Sequence, residues 1–257
     1  MSLRPQPDAA LLTGRSRAHV VEFPELGCTL HNEVIEPFRA LRAAAALAGI
    51  DLRVASSFRD FERQCLIWND KFCGRRPLLD RRGQVLEVHT LDAAARVEAI
   101  LVWSALPGAS RHHWGTDLDV YDAAAMPDVS QLRLVPEEYS PRGPFARLGA
   151  WLDHHLEDHG FFRPYLPRSL EKPLRDDDDP GGVGPEPWHL SFAPLARGFL
   201  AALTPQLLAR TLAEVAIEGR DIVLQRIDAI HRRYVADVAA PSERSLAFEI
   251  GEHRRVI

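Results

Sequence analysis

Cysteine is scarce in this 257-residue chain: Cys28, Cys65 and Cys73 are the only ones. An odd, low number argues against a disulfide framework, and no Cys-x-x-Cys pair offers a thiolate zinc site. The three are read as buried or half-buried thiols, with a Cys65–Cys73 bridge the one pairing left open. Long apolar runs are missing too, for no stretch reaches the about 18 residues that span a bilayer. Met1 to Pro7 lacks the apolar core of a signal peptide, so the cytoplasm is the expected compartment, with the periplasm the alternative should an export signal have been trimmed. There is no basic surplus: 31 Lys and Arg face 36 Asp and Glu, a net charge of -5. No Lys/Arg stripe with interleaved aromatics appears, and nucleic acid is not an expected partner.

What is present is an ordinary globular composition, 46% apolar and 26% charged, in a chain long enough to bury a sizeable core. Residues 1–30 carry little periodicity and read as an irregular arm. Residues 31–49 read as a helix closed by Gly49, and residues 52–55 as a short strand. Phe61, Cys65, Trp68 and Phe72 recur at helical spacing behind Asp60, a good N-cap. A basic loop with a turn at Arg82-Gly83 leads to an Ala/Leu-rich helix over 91–105.

Asp117–Tyr121 alternates, with Asp117, Asp119 and Tyr121 on one face of a half-buried strand. A long loop over 123–143 precedes an amphipathic helix over 144–159, which Gly160 closes. Residues 167–187, with the run Asp176–Asp179, read as a solvated surface loop. Trp188, Leu190 and Phe192 share one strand face and His189 lies on the other. Two helices parted near Gly219 follow, the second striped by Val223, Ile227, Ile230 and Tyr234. The expected fold is α+β: a small antiparallel sheet flanked by helices, with a C-terminal helical extension. One domain is expected over 1–257, its motif-bearing core at about 31–195 and the helical extension at about 196–238.

Most of the histidines carry no pattern. His155 and His159 have i,i+4 spacing, but their helix lacks the His-Glu-x-x-His arrangement that would pair two ligands with a base. Two segments differ: Ser110 to Asp119, and Glu186-Pro187-Trp188-His189. Zinc takes neutral imidazoles and carboxylates in a tetrahedron, and a catalytic zinc keeps one position open, so three protein ligands suffice. The Gly115 turn can fold His112 back over the acidic strand face that holds Asp119. If the strand bearing His189 pairs with that one, their polar faces converge on one ion. Glu186, held out of a helix by Pro187, is the natural base.

These segments resemble the VanY-like family of D-alanyl-D-alanine carboxypeptidases, zinc peptidases within a group that also holds D,D-dipeptidases, lysostaphin-like endopeptidases and the hedgehog domain. The family pattern SxHxxGxAxD is met by Ser110, His112, Gly115 and Asp119, and ExWH by Glu186, Trp188 and His189. Ser56 to Gln64 is similar to a third element, S-x-[YF]-R-S-x-x-x-Q, with Asp60 in place of its second serine. The resemblance covers about residues 31–195. It implies one Zn2+ per chain on His112, Asp119 and His189, with Glu186 as general base. It also implies that Arg59, helped by Gln64 and Ser110, steadies the substrate's carbonyl or terminal carboxylate. Arg59 precedes a helix N-terminus, which favours anions, and its guanidinium can clamp a carboxylate or meet an oxyanion.

The implied activity is D,D-carboxypeptidase hydrolysis of D-Ala-D-Ala-type peptidoglycan peptides. A related endopeptidase or dipeptidase, or a zinc-holding module without catalysis, are the competing readings. One departure stands out: the family's small residue after the glycine is Asp117 here. It is a partner for a histidine ligand, a rival ligand, or added charge in the cleft. His113 beside His112 is a second ambiguity, which the family's spacing resolves towards His112.

Overall fold

The computed structural model of the protein describes residues 7–166 and 182–248. In chain order its elements begin with α1 (Ala9–Leu12), β1 (Val20–Phe23), β2 (Cys28–His31), α2 (Ile35–Leu47), β3 (Leu52–Ser56) and α3 (Phe61–Phe72). β4 (Leu78–Leu79), β5 (Val85–Leu86), α4 (Ala93–Trp103), β6 (Asp117–Asp122), α5 (Ala146–His155), β7 (Phe161–Phe162) and β8 (His189–Phe192) follow. The chain then runs through α6 (Ala193–Ala202), α7 (Pro205–Leu212), α8 (Arg220–Gln225), α9 (Ile227–Ile230) and α10 (Glu243–Leu246). The fold is α+β, as the sequence implies.

The main sheet has the order β3-β6-β8-β7, with every neighbouring pair antiparallel. β6 is therefore an inner strand, and it is buried on both faces rather than half-buried as its alternation suggested. The alternation still sorts the two faces. Leu118, Val120, Leu190 and Phe192 pack with Phe38 and Leu41 of α2 and Leu148 and Leu152 of α5. Asp117 and Asp119 point to the opposite face. There a second core joins Trp68 and Phe72 of α3 and Val97 and Ile100 of α4 to Leu208, Leu212, Val223 and Ile230 of the C-terminal helices. The acidic face of the sheet is thus roofed by helices, and the site lies between two apolar cores.

α3 begins where the sequence predicts, with the Asp60 carboxylate accepting from the backbone N–H of Arg63 at 2.8 Å. Such a cap is worth about 1 kcal/mol. Trp68 ties this helix to the C-terminal segment by donating to the Glu218 carbonyl at 2.9 Å. The N-terminal arm is more ordered than its composition suggests: β1 and β2 form a hairpin whose His31 N–H donates to the Gly115 carbonyl at 2.8 Å. The C-terminal part is also more broken than two helices, with turns at Thr204, Gly219 and Arg226 separating α6 to α9. Its apolar stripe is core, with Val223, Ile227, Ile230 and Tyr234 all buried. Cys28, Cys65 and Cys73 are free thiols. The acidic run Asp176–Asp179 lies outside the described residues. Among the described residues no helix is long and apolar enough to cross a membrane.

Candidate metal centre and cleft

Gly115 makes the turn that carries His112 over the sheet. Its φ is +66°, and a Cβ there would meet Cγ1 of Val20 at 2.5 Å and the backbone nitrogen of His31 at 2.7 Å, so glycine alone fits. β6 starts two residues on, and its Asp119 stands directly across from His189 of β8. One ligating atom from each of His112, Asp119 and His189 lies within 4.8 Å of the others. Nε2 of His112 is 3.4 Å from Oδ2 of Asp119, and Nδ1 of His189 is 3.1 Å from Oδ1 of Asp119.

Oδ1 of Asp119 and Nδ1 of His189 face each other, buried, yet neither has a hydrogen bond of acceptable geometry. Two acceptors so placed suit a shared cation. Burial opposes the charge on His189, but the carboxylates of Asp117 and Asp119 push it up to about 9. The two carboxylates thus favour positive charge at this point, as a proton on the ring or, once the ring is neutral, as a metal ion on Nδ1. Burial works against ionised Asp119 as well, yet the imidazoles of His112 and His189 hold its carboxyl well below the usual carboxylate range. Burial keeps His112 neutral by lowering its pKa. Two imidazoles and one carboxylate are a donor set that zinc accepts.

Asp117 lies behind this trio. Its Oδ1 accepts from Nε2 of His189 at 3.0 Å and from Nε of Arg111 at 2.7 Å, and its Oδ2 accepts from Thr116 Oγ1 at 2.6 Å. Arg111 also donates to Ser191 Oγ at 2.5 Å. Of the roles open to Asp117 in the sequence, the structure draws the first: it fixes the tautomer and tilt of a histidine.

Glu186 enters from the loop before β8, its N–H donating to the Tyr165 carbonyl at 2.9 Å and its carboxylate 3.5 Å from Nδ1 of His189. Burial pushes its carboxyl up to about 7; His189 pulls it down, Asp119 pushes it up, and Arg59 and Lys71 pull it down. Arg59 is pinned by donating to Gln64 Oε1 at 2.9 Å and to Ser56 Oγ at 3.2 Å. Gln64 does not line the cleft, contrary to a substrate-contacting role. It is fully buried behind Arg59, and its amide nitrogen is spent on the Ala105 carbonyl at 2.7 Å. Ser110 does line the cleft.

His113 turns the other way. Its Nδ1 donates to the Arg59 carbonyl at 2.6 Å and its Nε2 accepts from the Gly108 N–H at 3.2 Å. His155 stacks on Trp151, far in role from any ion. The cleft over the trio has a volume of about 750 Å³. Tyr165 and Lys71 are among the lining residues that sequence reasoning passed over. Tyr165 lays its ring against His189 at 4.9 Å, and Lys71 reaches the cleft from the last turn of α3. A lone tyrosine in a loop carries no signal, and a lysine at a helix end reads as an ordinary cap of the helix dipole.

Residues 27–195 match the VanY family model, described as D-alanyl-D-alanine carboxypeptidase. Two Haemophilus influenzae proteins of uncharacterised function are similar. One is 45% identical over 109 residues, 41% of this chain and 72% of that protein. The other is 32% identical over 130 residues, 51% of this chain and 92% of that protein. Among solved structures, VanYB in complex with D-alanine-D-alanine is 22% identical with a TM-score of 0.45, covering 76% of this chain and 88% of that one. The LD-carboxypeptidase LdcB is 15% identical with a TM-score of 0.43, covering 80% and 70%.

Proposed function

The chain belongs to the VanY family of D-alanyl-D-alanine carboxypeptidases, and from that membership we propose that it is a zinc-dependent D,D-carboxypeptidase acting on D-Ala-D-Ala-type peptides of peptidoglycan. The observation that carries this reading is the buried meeting of His112, Asp119 and His189 with Glu186 beside them. Nε2 of His112, the Asp119 carboxylate and Nδ1 of His189 would hold one zinc ion per chain. When bound, zinc supplies a Lewis acid for the scissile carbonyl and lowers the pKa of water to about 7.

The rest falls to the chain's own groups. Glu186 takes the proton from water and returns it to the leaving amine. A carboxyl at about 7 stands near the operating pH for both transfers. A cation beside it favours the carboxylate, the form that a base requires. Arg59, pinned by Gln64 and Ser56, presents its charge to the carbonyl oxygen as negative charge gathers there. Ser110, which also lines the cleft, helps to orient the peptide. The C-terminal helices share a core with α3 and α4, which supports reading the chain as one peptidase unit.

The test is release of D-alanine from a peptide ending in D-Ala-D-Ala. Zinc-loaded protein should release it, chelator-treated protein should not, and added zinc should restore it. Intact peptide after incubation with protein of measured zinc content would overturn the assignment.

A further inference from the structure

The cleft is larger and more cationic than a dipeptide requires. Its volume of about 750 Å³ lies within the range of about 300–1,000 Å³ that encloses drug-sized ligands, so several peptide residues fit. The whole chain has a net charge of -5, yet Arg59, Lys71, Arg81, Arg82 and Arg133 line this one cleft. Against them stand Asp119, Glu137 and Glu186. Asp119 is engaged by His112 and His189, and Glu186 lies against His189. A cleft with an excess of one sign favours ligands of the other.

Lys71 differs from the cations around it. Its neighbour Asp70 is taken by Arg75 and Arg76, at 2.8 and 3.4 Å. Among the described residues the Lys71 ammonium has no hydrogen-bond partner and no carboxylate within 4.0 Å. Burial lowers its pKa to about 8, while Glu186 pulls it up and Arg76 and Arg59 push it down. Lys71 is half-buried, so its ammonium faces the cleft partly shielded from water and without a partner, and such groups in clefts mark candidate binding sites. Arg59 stands before α3 and Lys71 in its last turn, so the roughly 15 Å from the start of the helix to Lys71 parts their backbones, while their charged ends come near enough to act on each other. Two cations therefore enter the cleft from opposite ends of one helix, and only Arg59 is pinned beside the reacting bond.

We propose that Lys71 is a carboxylate anchor: one carboxylate of the peptide substrate pairs with this ammonium while Arg59 serves the scissile carbonyl. The anchored group is either an acidic side chain or the free C-terminus. The proposal rests on the peptidase reading of the cleft.

Peptides ending in D-Ala-D-Ala, with Glu or Gln upstream and with a free or amidated C-terminus, separate the sources. Each is assayed with zinc-loaded wild-type, Lys71→Met and Lys71→Arg protein, and its Kd is measured alongside. Lys71→Met should lower one kcat/KM ratio, Glu over Gln or free over amidated, about tenfold or more. The loss should fall on KM rather than kcat, and Lys71→Arg should restore most of it. The ratio that collapses identifies the carboxylate. Ratios unchanged in Lys71→Met, or an equal loss on every peptide, would overturn the anchor while leaving the peptidase reading intact. If wild-type protein cleaves no peptide, that reading fails and the Kd values decide alone. Lys71→Met must then weaken the carboxylate-bearing peptide about tenfold; equal Kd values, or no binding at all, overturn the anchor.

Discussion

Nε2 of His189 donates to Oδ1 of Asp117 across 3.0 Å, which turns Nδ1 of the same ring towards Asp119. The ring cannot swing without breaking a bond between two buried side chains. Removing this outer partner by Asp117→Asn should weaken zinc binding about 10- to 100-fold, read by chelator competition. It should also destabilise the metal-free protein by about 3–5 kcal/mol, because Arg111 is left buried without its counter-charge. Adding Arg111→Met should recover much of that stability and none of the zinc affinity. A double variant that binds zinc like wild type would show that Asp117 serves folding alone.

Glu186→Gln separates holding the metal from using it. The amide has nearly the shape of the carboxylate but cannot take a proton, so turnover should fall by about 10²–10⁴. Zinc content should stay stoichiometric, since the three donor atoms that meet belong to His112, Asp119 and His189. Full turnover in this variant would remove Glu186 from the base role and send the search to other groups on the cleft.

Gly115→Ala tests the turn that delivers His112. The new methyl would press on the backbone nitrogen of His31, an atom fixed by its own bond to the Gly115 carbonyl, in a φ of +66°. The cost should be at least about 2 kcal/mol in urea unfolding, with zinc affinity falling as His112 shifts. Wild-type stability in this variant would mean that the β1–β2 hairpin yields, and that the turn is not set by this contact.

The trio was legible because each member sits in a short local pattern. Strand alternation puts Asp119 and His189 on polar faces, and the Gly115 turn accounts for His112. That β6 and β8 pair with Asp119 against His189 is a long-range fact that no local spacing contains. The same gap explains the N-terminal hairpin, whose strands gain their stability from docking on the Gly115 turn rather than from any alternation of their own. Gln64 was visible as part of a pattern, but its direction was not. A buried glutamine has donors and acceptors for either a ligand or a neighbour, and only the distances to Arg59 and Ala105 decide. Lys71 was invisible for the opposite reason, since its position is ordinary until it is known that no carboxylate of the described residues pairs with it.

The ambiguity between His112 and His113 yields a pH experiment. His113 is fully buried with both ring nitrogens used in the neutral form, Nδ1 donating to Arg59 and Nε2 accepting from Gly108. Protonation would set a new N–H against the Gly108 N–H, and burial lowers the pKa to about 3 from an unfolded value of 6.5. Below 6.5 the unfolded chain therefore binds a proton that the folded chain refuses. Stability falls as the pH drops through that window and stops falling on this account only near 3. The slope from one proton is about 1.4 kcal/mol per pH unit. His113→Asn keeps a donor for the Arg59 carbonyl and removes the titration, so its urea-derived stability should fall less steeply from pH 6 to 5 than that of wild type, by about that amount. It should also retain zinc, whereas His112→Ala should not. Parallel slopes for wild type and His113→Asn would mean that His113 takes its proton in the folded state, and that the Gly108 contact does not hold the ring neutral.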